Sequence, residues 1–148
     1  MSAPGTALRG GCMCGAIRYE ITAAPMFGGQ CQCRTCQHES GGGHSSFMAF
    51  ASEAVKLGGT PRYFESKADS GNTIRRGFCP TCGCSVVSAT SGLPGVTTVN
   101  AGSLDDPGVF KPEFVCYTSR GHAWDLVDPA LPSFSTMPDD AGQLAGNT

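Results

Sequence analysis

The apolar positions of the chain come in short runs, many of them alternating with polar residues. AIRYEI over 16–21, SFMAF over 46–50, RYFES over 62–66, VTTVN over 96–100 and EFVCYT over 113–118 carry the two-residue period of half-buried strands. Between them stand LGGTP, ADSGN, SGLPG and SLDDPG, clusters of Gly, Pro, Ser, Asn and Asp with the preferences that make turns. No segment holds a helical period for long; only RTCQHES, over 34–40, suits a short helical turn. The pattern predicts a mainly β fold. Patterning starts near Arg9 and fades after 135, so one domain is expected over 9–135, with a flexible N-terminus over 1–8 and a loose tail over 136–148.

A chain of 148 residues with 40% hydrophobic and 15% charged residues is large enough for one real core. A formal net charge of -2 provides no basic field to hold phosphate backbones, so nucleic acid is not an expected partner. No apolar run approaches the roughly 20 residues of a membrane span, so no membrane is expected either. MSAPGTALRGG lacks the apolar segment of a secretory signal, which makes cytoplasmic localisation the expectation.

Nine cysteines change the picture, because a reducing compartment disfavours a disulfide framework and an odd number cannot pair completely. Metal binding is the leading reading. In CMC over 12–14, a strand would place Cys12 and Cys14 on one face. In FCPTCGC over 78–84, Cys79 and Cys82 have the spacing of a zinc knuckle, in which a tight turn aims both sulfurs at one ion. Cys12, Cys14, Cys79 and Cys82 together make a closed four-sulfur site, expected to be a structural staple.

Cys31, Cys33 and Cys36 make a different set. One short loop, CQCRTC, can wrap three sulfurs around an ion and leave the fourth position to a visitor, as catalytic zinc sites do. Zinc with three thiolates already has a formal charge of about -1, so it activates water poorly, and a soft thiol-bearing small molecule suits it better.

These segments carry a family resemblance. GGCMCGAIRYE, CQCRTCQ followed by SGGGH, FCPTCGC, AGSLDDP, YTSRGHAWD and DPALPSF, spread from about Arg9 to Phe134, resemble the glutathione-dependent formaldehyde-activating enzymes, also called the GFA or CENP-V domain family. The resemblance implies a Mss4-like, β-rich fold with structural zinc on Cys12, Cys14, Cys79 and Cys82. It implies a second zinc on Cys31, Cys33 and Cys36, where glutathione and formaldehyde would join as S-hydroxymethylglutathione, formally a carbon-sulfur lyase reaction in reverse. The implied partners are a small thiol and a small aldehyde. A zinc-stabilised scaffold or protein-binding module is the alternative class, and it would need only the four-cysteine site. Exposed strand edges would also permit a homodimer.

Other residues have two readings each. His44 can give a proton to a developing alkoxide or pack in a turn; His38 is expected at the surface. Arg34 can attract a glutathione carboxylate or serve local hydrogen bonds, and Arg120, in the YTSRGHAWD motif, can line a pocket. Trp124 can line the pocket, but as the lone tryptophan it is expected to be a core anchor under the last loop. Gly41, Gly42 and Gly43 have no following lysine pair for phosphate and are taken as flexible backbone beside the metal. Asp105 and Asp106, before Pro107 and Gly108, are expected in a turn. Cys84 is expected to be a small packed side chain, and Cys116 has no assigned role.

Overall fold

The computed structural model describes residues 7–68 and 70–138. Along them run β1 (Leu8–Gly11), β2 (Arg18–Ile21), β3 (Phe27–Cys31), α1 (Arg34–Ser40), β4 (Ser45–Ala51), β5 (Val55–Gly58), β6 (Arg62–Lys67), β7 (Thr73–Phe78), β8 (Ser85–Thr90), β9 (Val96–Asn100) and β10 (Val115–Cys116). The protein is mainly β and forms a single small domain, as its alternating pattern requires. The expected flexible N-terminus and tail lie outside the described residues over 1–6 and 139–148, and β1 begins at Leu8.

Two sheets organise the described residues. The smaller has the antiparallel order β1-β2-β5; the larger has the order β10-β3-β4-β9-β8-β7-β6, antiparallel except where β10 lies parallel to β3. Alternation along β4 feeds two separate cores. Met48 and Phe50 pack with Ile17, Ile21, Val86 and Val99, and Cys12 and Cys79 belong to this first core. Ala49 packs in the second core with Phe27, Cys31, Phe114 and Cys116, where Phe47, Cys33, Cys36, Tyr117 and Phe134 join from the rim. Each sulfur set therefore rests on its own core.

Local sequence explains where elements start and stop. α1 begins at Cys33, whose side chain accepts from the backbone N–H of Cys36, and ends at Gly41, whose φ of 73° and N–H to Gln37 C=O close the helix. Gly41 is thus a helix cap and not a loose hinge. Gly43 is also constrained, because a Cβ there would sit 2.2 Å from Asp125 Cγ. The run over 113–118 yields only the two residues of β10, since Tyr117 at φ 56° turns the chain out of the sheet. Asp106 caps a 3-10 turn over Pro107–Val109, and Asp105 holds Arg18 in a two-point ion pair of 2.8 and 2.5 Å.

Candidate metal centres

The first sulfur set joins two turns. Cys12 and Cys14 lie beyond the end of β1, in a tight turn closed by Cys12 N–H to Ile17 C=O at 3.0 Å and Gly15 N–H to Cys12 C=O at 3.3 Å. The strand geometry expected for this pair is therefore corrected: a turn, and not a pleat, brings the two sulfurs together. Cys79 and Cys82 sit in the turn between β7 and β8, closed by Gly83 N–H to Cys79 C=O at 2.8 Å. Cys14 Sγ lies 3.6 Å from both Cys12 Sγ and Cys79 Sγ. A disulfide would need about 2 Å, whereas sulfurs sharing a tetrahedral zinc stand about 3.8 Å apart. Backbone N–H groups already point at these sulfurs, from Ile17 to Cys12 at 3.2 Å and from Thr81 to Cys79 at 3.4 Å.

The second set, Cys31, Cys33 and Cys36, spans the end of β3, the cap of α1 and its first turn. In both sets the sulfurs lie within 4.8 Å of one another, and among the described residues no fourth Cys, His, Asp or Glu joins the second set. Both can hold metal ions, and their all-sulfur donor character is compatible with zinc.

Proton affinities inside the sets point the same way. Burial raises the Cys12 thiol, but the Ile17 N–H and the neighbouring thiols outweigh it and bring it down to about 6. The Ala16 N–H favours the Cys14 thiolate, yet burial and the adjoining sulfurs push that thiol up to about 11. In the second set, hydrogen bonds from Cys31 and Cys36 drive Cys33 far down. Cys31 is pushed up, first by its hydrogen bond with Cys116 and then by Cys33; Cys36 is pushed up by Cys31 and Cys33. One thiolate opposes ionisation of the next, a conflict that a divalent cation removes.

A hydrogen-bond hub that the sequence did not announce supports the second set. Gln37 is buried in α1; its amide donates to the C=O of Gln32 at 2.8 Å and of Arg120 at 3.0 Å. Its Oε1 accepts from Arg34 and, at 3.1 Å, from His122 Nε2. The Gln37 side chain thus uses all four of its bonding positions to tie the CQC turn to the loop over 118–122. Gln32, between two of the sulfurs, donates to Asp125 Oδ2 at 3.0 Å. Asp125 also takes His44 Nδ1 at 2.9 Å, and Gln30 Nε2 lies 3.2 Å from His44 Nε2. A carboxylate only accepts, so Nδ1 carries the proton and Nε2 receives the Gln30 amide.

The remaining candidates fall around this frame. Arg34 and His38 are exposed on α1, with Arg34 reaching Gln37 and, at 3.5 Å, His38. Arg120 is exposed beside the hub. Trp124 is 68% exposed, so the expected core anchor is corrected: its ring stacks on His122 at 5.4 Å and 3°. His122, on which the indole stacks, is itself held by Gln37. Cys84 is half-buried against the first core, its thiol 3.7 Å from Ser85 C=O. Asp125 was missed because its bond to His44 spans 81 residues; its place directly after Trp124 in AWD was the only local signal.

No curated protein matches this chain. Among solved structures it is similar to a crystal structure of a Rhodobacter sphaeroides protein, at 16% identity and a TM-score of 0.54 over 85% of this chain and 98% of that one. At that identity the likeness concerns the fold alone. The family model described as glutathione-dependent formaldehyde-activating enzyme matches residues 7–120, a span that holds both sulfur sets, and the chain belongs to that family.

Proposed function

We propose that the protein is a zinc-dependent enzyme of the carbon-sulfur lyase type, joining a thiol such as glutathione to formaldehyde or a related small aldehyde. The observation that carries this reading is the three-sulfur set with no fourth protein ligand among the described residues. Bound zinc supplies Lewis acidity, which lowers a thiol's pKa and fixes its sulfur for attack on a carbonyl carbon. The chain's own residues do the rest. Cys31, Cys33 and Cys36 hold the ion, and the Cys36 N–H, 3.3 Å from Cys33 Sγ, steadies one of those thiolates. Gln37 keeps the three sulfurs in register through the Gln32 carbonyl. Arg34 and Arg120, exposed residues both joined to Gln37, supply positive charge for a substrate carboxylate, and Trp124 an exposed aromatic ring. His44 carries the proton function that sequence assigned to it only if Nε2 leaves Gln30; in the geometry at hand it acts through Asp125 and Gln32 as a positioning residue.

The test is thiol-aldehyde exchange followed by NMR at equilibrium, where enzyme-accelerated exchange stands above the spontaneous background. Cys36→Ser is expected to fall to that background while keeping the fold, because the four-cysteine set is untouched. A fully active Cys36→Ser protein would refute the reading and favour the scaffold alternative.

A further inference from the structure

Cys116 is the one cysteine near the second set to which nothing above gives a task. It is fully buried, and it pairs directly with Cys31 across the parallel β10–β3 ladder. Neighbouring strands stand about 4.8 Å apart, and paired residues project to the same face, which puts the two side chains side by side in the second core. Cys116 is nevertheless outside the set of sulfurs that all lie within 4.8 Å of one another. It touches one ligand and not the ligand site.

The backbone fixes it there. The Cys116 C=O accepts from Gln32 N–H at 3.0 Å, and Phe134 N–H bonds Val115 C=O at 2.9 Å on the other side of β10. The next residue, Tyr117, is the only non-glycine with positive φ among the described residues, at 56°. Such a conformation costs on the order of 1–2 kcal/mol and persists only where its surroundings over-determine it. The chain leaves the sheet abruptly after Cys116, with that residue still held in register with Cys31.

We propose that Cys116 is a positioning residue for the second metal centre, its thiol donating an S–H···S hydrogen bond to the metal-bound Cys31 thiolate. Three thiolates leave zinc with surplus negative charge. A donor behind one of them draws part of that charge away, so the ion tolerates a fourth, anionic sulfur from substrate. Phe27, Phe114 and Ala49 lie in the same apolar core as the pair. Partners of this kind behind metal ligands typically change affinity by 10–100-fold. The inference rests on the proposed function, since it assumes that the second set holds zinc.

The experiment compares zinc affinity at the second set, by chelator competition, in the full-length wild type, Cys116→Val and Cys116→Ser, with the four-cysteine set as internal control. Cys116→Val keeps the volume and loses the donor; about a tenfold or greater loss of affinity is expected. Cys116→Ser keeps a donor and is expected to bind within about threefold of wild type. Equal affinity in wild type and Cys116→Val overturns the proposal, and so does a Cys116→Ser protein as weak as Cys116→Val. Should either variant fail to fold, infrared spectra of the wild type decide. With both sets loaded only Cys84 and Cys116 keep an S–H, and Cys84→Ala tells them apart. A Cys116 S–H stretch that moves to lower frequency when the second zinc enters supports the proposal; an unmoved band overturns it. Uptake of a single zinc by the wild type would instead refute the functional reading, and the inference with it.

Discussion

Gln37 shows how much one side chain does at the second sulfur set. It is buried, and its amide satisfies two backbone carbonyls from segments more than eighty residues apart. Gln37→Leu fits the volume but strands both carbonyls, each at a cost of about 1–3 kcal/mol. The expected result is a lower denaturation midpoint together with weaker zinc binding at Cys31, Cys33 and Cys36; unchanged binding would show the hub to be only a packing device. Asp125 gives a pH signature. Burial favours its neutral form, but hydrogen bonds from Gln32 and His44 prevail and hold the carboxyl below the ordinary aspartate value of about 3.9. A carboxyl with a folded pKa below its unfolded one adds stability in full above the unfolded value and loses it as pH falls through the folded one. Compared in the same metal state, the stability gap between wild type and Asp125→Asn is expected to be present above about pH 4 and to close below it. A gap that does not change in acid would contradict this.

α1 is one short element, yet it is tied down at both ends. Cys33 caps it, its first turn carries Cys36, and near its end Glu39 takes Arg76 Nε at 2.9 Å and the Ser85 hydroxyl at 2.6 Å. With side chains only 12% and 13% exposed, the Arg76–Glu39 pair is shielded from solvent and links the helix to β7 and β8. Breaking one side of such a pair costs about 3–5 kcal/mol when fully buried. Arg76→Ala is expected to destabilise the protein toward that range and Glu39→Gln somewhat less, with strong coupling in a double-mutant cycle; additive effects would show that the two do not act together. RTCQHES showed this helix in the sequence because its cap and stop are local. The strand FGGQC of β3 was not legible, since its glycines carry no apolar period. Gly29 is there for a distant reason: a Cβ would come 2.7 Å from the ring of Phe114. The same non-locality hid the Glu39–Arg76 link, while the cysteine spacings displayed both sulfur sets because C-x-C and C-x-x-C are requirements of short loops.

At the scale of the whole molecule, the two sulfur sets belong to two cores, one built on Met48 and Phe50 and the other on Ala49 and Phe47. The first set joins turns 65 residues apart in sequence and should unfold with its metal, whereas the second caps a single loop. Graded addition of a chelator is expected to strip the second ion with little loss of circular dichroism, and the first only with global unfolding. Simultaneous loss of both would mean that the two centres are not independent. The most direct measurement is zinc content by elemental analysis, for the wild type and a Cys31→Ser/Cys36→Ser protein, each with and without glutathione. Two zincs in the wild type, one in the variant, and retention that responds to glutathione only in the wild type is the expected result. One zinc in both proteins, indifferent to glutathione, would contradict an open thiol-binding centre at Cys31, Cys33 and Cys36.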